Sequence, residues 1–193
     1  MPGRPKFGAA FLWSVVMSMG ENTLQTLVTL ALAIYLGPSA LGLLAIAWAY
    51  IAFMELLLDQ GLTAALVQHP ELDEVHLDSA FWMVLAGSLA LALGSVALSG
   101  WWAELYQMAE LESVLIALSA IIPLQGLTVV QRAVLQRTLN IRVLAVRSNV
   151  AVLVSGAVGI VLAARGAGYW ALVAQHLIQP TVGLHLLCSL GRW

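Results

Sequence analysis

Residues 11–36 read FLWSVVMSMGENTLQTLVTLALAIYL. Coiled as an α-helix at about 1.5 Å per residue, this run is long enough to cross the ~30 Å hydrocarbon core of a bilayer. Its polar members Ser14, Ser18, Glu21, Asn22, Gln25 and Thr29 recur at intervals of three or four. A helix gathers them on one stripe and leaves Leu24, Leu27, Val28 and residues 30–33 to the rest of its surface. Such a stripe does not face lipid. A charge at mid-bilayer costs about 2.5–3.5 kcal/mol on insertion scales, so Glu21 is expected to look into a wet cavity, meet a partner or carry a proton. The hydroxyls suit the lesser role of tying helices together, at about 0.6 kcal/mol each.

Working outward, comparable apolar runs lie near residues 41–67, 80–99, 113–130, 144–164 and 170–190, separated by short polar or Gly/Pro breaks. The sequence therefore predicts an all-α membrane protein: a six-helix transmembrane bundle in which residues 1–193 form a single transmembrane domain. The alternating pattern of a transmembrane barrel is missing. With 61% hydrophobic and only 9% charged residues, and a mean hydropathy of +0.93, the chain is too apolar for a soluble domain. Eight Lys+Arg against ten Asp+Glu provide no basic stripe, so nucleic acid is not an expected partner. The single Cys188 allows neither an intrachain disulfide nor a thiolate cage, and the four histidines lack ligand spacing; no metal and no cofactor are expected. There is no Gly-Lys-[Ser/Thr] phosphate loop, no Gly-x-Ser-x-Gly elbow and no His-Glu-x-x-His pair, so the expectation is a protein that is not an enzyme.

Arg4 and Lys6 ahead of the first apolar run mimic a secretory signal, but the run continues to Leu36 without a small-residue cleavage pattern, and a first span is the expectation. Threading the spans alternately places Arg4, Lys6, Arg132, Arg137, Arg142, Arg147 and Arg192 on one side and only Arg165 on the other. The first side is read as the cytoplasm, with both termini there. The turn at residues 36–40, the loop at 100–112 and the turn at 165–169 then face outward. Trp101, Trp102 and Tyr106, with Tyr169 and Trp170, read as interfacial anchors.

Further polar residues fall inside the spans. Glu55 and Asp59 stack one turn apart in the second, where proximity disfavours ionising both. They read as a proton-carrying or ion-coupling site with Glu21, or as partners of an arginine; Asp59 alternatively caps a helix broken near Gly61. Pro123 and Pro180 bend the fourth and sixth spans. Gln125, Thr128, Gln175, His176 and Gln179 cluster near them, and such amides either hydrogen-bond sugar hydroxyls or tie helices together. Ala86, Ala90 and Gly94, and Gly156 with Gly159, offer smooth surfaces for close helix packing. Arg132, Arg137, Arg142 and Arg147 are accounted for mainly as a topological signal, with one or two able to hold an anionic headgroup through bidentate guanidinium contacts.

Three stretches resemble the bacterial polysaccharide flippases, the Wzx-type exporters of the multidrug/oligosaccharidyl-lipid/polysaccharide superfamily. The first is Leu36-Gly-Pro-Ser-Ala-Leu-Gly-Leu-Leu-Ala45, leading to Asp59-Gln-Gly-Leu-Thr-Ala-Ala-Leu-Val-Gln68. The second is Ala133-Val-Leu-Gln-Arg-Thr-Leu-Asn-Ile-Arg142, with Ile141 where that family more usually has an aromatic. The third is Arg165-Gly-Ala-Gly-Tyr-Trp-Ala-Leu-Val-Ala-Gln175. The resemblance implies one lobe of a two-lobed transporter, in the bacterial inner membrane, that moves polyprenyl-diphosphate-linked oligosaccharide for polysaccharide or lipopolysaccharide biosynthesis. Its partners would be the lipid-linked oligosaccharide, membrane lipids, and a missing second lobe or second chain. An N-terminal fragment is the favoured account of the single lobe. In that picture Arg132, Arg137 and Arg142 attract the diphosphate, Gln25, Gln125 and Gln175 bind sugar, and Glu21, Glu55 and Asp59 couple the cycle to ions. A multidrug-type cation antiporter and a non-transporting membrane scaffold remain the alternatives.

Overall fold

A computed structural model describes residues 5–59, 74–137 and 141–190. The side chains of Glu55, Asp59, Arg132, Arg137 and Arg142 lie outside the described set. The described residues are all-helical: α1 (Pro5–Asp59), α2 (Glu74–Tyr106), α3 (Ala109–Ser119), α4 (Ile121–Arg137), α5 (Ile141–Ala164) and α6 (Trp170–Leu190). Among the described residues, four segments are long and apolar enough to cross a membrane: Ser18–Met54, Phe81–Tyr106, Ala109–Val129 and Val143–Ala164.

The first of these is two arms. Gly37 adopts φ 73, ψ 175, a region open essentially to glycine alone. Pro38 begins the second arm, where its missing N–H costs nothing. Gln25 and Trp48, about a dozen residues to either side of the break, line one cavity. A straight helix would hold them about 34 Å apart. The arms therefore fold back on each other, and Gln25 and Trp48 meet at equal depth.

Two other turns close by a shared device. Met108 N–H donates to Ala103 O (3.0 Å) and Gln107 N–H to Glu104 O (3.1 Å), around a left-handed Gln107 (φ 54). Ala167 N–H donates to Leu162 O (3.1 Å) and Gly166 N–H to Ala163 O (3.0 Å), around Gly166 (φ 81). Both are Schellman closures, which satisfy the last carbonyls of a helix. The expected outward loop at 100–112 is thus mostly helix, turning only at Gln107 and Met108, because nothing at Gly100 stops a run of helix-forming residues. The fourth span is interrupted between Ser119 and Ile121, just ahead of Pro123, which cannot donate to the carbonyl of Ser119.

Contacts fix the directions of the helices. Gly20 meets Asn149 and Gly156 meets Val28, so the first arm of α1 runs parallel to α5. Gly159 meets Gln175, and Gly183 meets Arg147, so α6 runs antiparallel to α5. Ser88 meets Gly126 and the hydroxyls of Ser95 and Ser119 bond at 2.7 Å, so α2 runs against α3 and α4.

Polarity is arranged inside out. Ile34, Leu93 and Leu56 are 83%, 71% and 69% exposed, while Ser88, Ser95, Ser99, Ser119, Thr128, Ser155 and Gln175 are buried. Water would penalise that surface; hydrocarbon does not. The sequence assigned close packing on α2 to Ala86, Ala90 and Gly94, but nothing approaches Gly94 within 4 Å. The buried face is instead Val84, Ser88, Ser95, Ser99 and Ala103. Gly156 and Gly159 do pack closely.

An apolar core gathers Leu32, Leu43, Leu44, Ala47, Leu111, Leu115, Leu118, Ile122 and Leu172, with Leu36, Met108, Ala167 and Tyr169 against it. The three turns therefore share one end of the molecule, and the core plugs that end.

Candidate functional site

Beneath the plug lies a polar cavity of about 460 Å3. Each wall is one stripe of a helix at three- or four-residue spacing. The first arm of α1 gives Glu21, Asn22 and Gln25, and its second arm Trp48; α4 gives Gln125 and Thr128; α5 gives Leu144, Arg147, Ser148 and Ala151; α6 gives His176, Gln179, Pro180 and Gly183. Helical periodicity brings these residues to a common interior, which is the physical content of the stripe read in residues 11–36.

Several side chains are held in place. The Arg147 Nε donates to the carbonyl of Gly183 at 2.9 Å. His176 Nδ1 lies 2.9 Å from the carbonyl of Leu172; that oxygen only accepts, so Nδ1 carries the proton. Its ring lies 4.7 Å from that of Trp48, tilted by 56°. Thr128 Oγ1 donates to the Gln125 carbonyl at 2.9 Å. Thr26 and Thr29 bond back to Asn22 and Gln25 carbonyls, both at 2.8 Å, so these hydroxyls serve α1 itself and do not tie it to a neighbour. The Oε1 of Gln25 is buried without a hydrogen-bond partner.

Of the residues singled out in the sequence, Glu21, Gln25 and Gln125 meet on the cavity wall. Gln175 does not line it. That side chain is 1% exposed, turned toward Gly159, with neither Oε1 nor Nε2 bonded. Arg147 is the residue that sequence reasoning missed. Its position six residues into α5 read as a topological charge, whereas its side chain faces the interior. Trp48 and Ser148 were likewise not singled out for this wall, whereas Asn22 belongs to the stripe read in residues 11–36.

Among the described residues no three His, Cys, Asp or Glu side chains gather as a metal site. A lining of amides, hydroxyls, the His176 imidazole, the Glu21 carboxyl group and the Arg147 guanidinium is suited to a polar, hydrogen-bonding ligand, with Arg147 able to engage an anionic group on it.

A second hollow, of about 590 Å3, opens between the second arm of α1 and α2, lined by Ala45, Ile46, Ala49, Tyr50, Phe53, Met54, Leu98, Trp101, Trp102 and Tyr106. It is nearly all apolar and offers no convergent chemistry.

A family described as polysaccharide biosynthesis protein matches residues 31–193. The chain belongs to that family. Among characterised proteins, the succinoglycan biosynthesis transport protein ExoT of Rhizobium meliloti (strain 1021) is 34% identical over 183 residues, covering 94% of this chain and 37% of its own length. The chain thus spans a little over a third of that relative. No solved structure matches it. Two of the stretches that resemble the polysaccharide flippases now have a structural reason. Leu36-Gly-Pro folds the arms of α1 together, and Arg165-Gly-Ala-Gly holds two glycines at positive φ (Gly166 81, Gly168 57) before α6 begins.

Proposed function

We propose that this membrane protein translocates polyprenyl-diphosphate-linked oligosaccharide across the bacterial inner membrane for polysaccharide or lipopolysaccharide biosynthesis. Its residues 1–193 act as one transmembrane domain, a six-helix bundle forming one lobe of a two-lobed transporter. The observation that carries this reading is a polar cavity, walled by four helices, inside a bundle whose outer surface is apolar, in a chain of a polysaccharide biosynthesis family. The two arms of α1, then α2, α3 with α4, α5 and α6 make six alternating crossings, in keeping with the parallel course of the first arm and α5.

The positive-inside bias puts both termini in the cytoplasm, so the plug lies toward the outside and the cavity toward the cytoplasmic leaflet. Cargo enters from that leaflet. Arg132, Arg137 and Arg142 attract the diphosphate at the membrane surface; Gln25 and Gln125 bond sugar hydroxyls within the cavity; Gln175 joins them when the lobe rearranges. Glu21, Glu55 and Asp59 couple the cycle to ions.

The test is export by the full-length transporter in cells lacking their own. Gln25→Leu with Gln125→Leu is expected to lower surface polysaccharide at least tenfold while membrane insertion stays normal. Undiminished export in that variant would refute the cavity as the route, and undiminished export after neutralising Glu55 and Asp59 would refute the coupling role alone.

A further inference from the structure

Pro180 lies inside the continuous helix α6, a turn ahead of a close polar contact between that helix and α5. Lacking an N–H, Pro180 leaves the carbonyl of His176 without a ladder donor. Next to it, Thr181 Oγ1 donates to the carbonyl of Leu177 at 2.7 Å, a back-bond of the kind that slightly weakens a helix. One turn on, the guanidinium of Arg147 lies flat over Gly183. A Cβ there would stand 2.9 Å from Nη2, 3.0 Å from Nε and 3.2 Å from Cζ, and Nε itself donates to the Gly183 carbonyl at 2.9 Å. A side chain at 183 would press on the guanidinium and make it shift from this seat.

We infer that Arg147 and Gly183 form a releasable clamp that holds the half of α6 beyond Pro180 against α5, opened when an anionic group in the cavity competes for the guanidinium. The carbonyl is a neutral acceptor, whereas a phosphate or carboxylate engages a guanidinium through two charge-assisted bonds and is the stronger partner. Both Arg147 and Gly183 line the cavity, so an anion that occupies it reaches the clamp directly. The other titratable groups on that wall are Glu21 on α1 and His176 on α6. Occupancy would thus loosen a hinged helix half, which is the event a rocking transporter needs. This rests on the transport reading for its purpose, though not for its geometry.

Hydrogen exchange of the full-length protein in lipid nanodiscs tests it, with inorganic diphosphate as the probe anion. Gly183→Ala unseats the guanidinium but keeps its charge, and is expected to speed exchange at residues 181–190 at least fivefold while residues 170–179 keep wild-type rates. Arg147→Lys, which keeps the charge without an Nε donor, should do the same. Millimolar diphosphate should speed the same segment in the wild type and add nothing in Gly183→Ala. Wild-type exchange in both variants, or acceleration spread evenly along α6, overturns the clamp. A segment that responds to Gly183→Ala but not to diphosphate overturns the proposed competition. Loosening by both, in a protein that exports no polysaccharide, would sink the transport reading and leave the clamp standing.

Discussion

Val28 of α1 lies over Gly156 of α5 with no space between them for a methyl group. Close approach of this kind is how membrane helices gain dispersion contacts where lipid removes the hydrophobic driving force. Gly156→Ala is therefore expected to cost about 1–3 kcal/mol through overpacking, read as a lower melting temperature in detergent. Gly94→Ala, at a position with open space around it, should be neutral or stabilising by up to about 1 kcal/mol, since alanine is the better helix former.

The hydroxyls of Ser95 and Ser119 bond at 2.7 Å between α2 and α3, with Ser119 also donating to the Leu115 carbonyl at 2.7 Å. A double-mutant cycle with alanine at both sites should return a coupling of about 0.6 kcal/mol, the usual scale for such pairs in membranes. A value near zero would mean that Ser119 is satisfied by its own helix alone.

Gln175 is buried with both amide atoms unbonded, which carries a desolvation penalty of about 1–3 kcal/mol. Gln175→Leu keeps the volume and removes the orphaned groups, so it should raise the melting temperature. If the amide is bonded in another step of the cycle, the same variant should also slow export, and the two readouts together separate a packing role from a working one.

Gly37 carries a backbone conformation that other residues adopt at a cost of about 1–3 kcal/mol. Gly37→Val is expected to weaken the fold-back of the α1 arms. Cysteines placed at Gln25 and Trp48, bridged by a short bifunctional maleimide, should cross-link readily in the parent and several-fold less in the variant.

The fold was largely legible where periodicity and breakers act locally. Residues 11–36 announced one polar face, Gly37-Pro38 announced a turn, and α6 occupies the residues 170–190 assigned to it. What failed depended on neighbours. Ala86 and Ala90 sit about 160° and Gly94 about 120° around α2 from Ser88, and composition gives no sign of which of two small-residue faces will be covered. Gln107 turns the chain without glycine or proline, so its Schellman closure left no local mark. Arg147 was obscured by its place near a helix end, where arginine commonly serves topology; only the antiparallel approach of Gly183 reveals the seat built for it. Gln175 looked like its neighbour Gln179 in sequence, yet one residue faces α5 and the other the cavity.

The layer formed by Leu32, Leu44, Leu115, Ile122 and Leu172 has an electrical consequence. Transmembrane voltage drops where dielectric is lowest, and in the proposed transporter that is this apolar layer, a gasket above a cavity that would hold water. A charge carried through the whole field is worth about 2.3 kcal/mol per 100 mV. Glu21 and Arg147, sitting below the gasket, share the potential of the compartment they open to and feel little of that field. In the proposed transport cycle, a voltage-sensitive step would therefore be the one in which those five apolar side chains part.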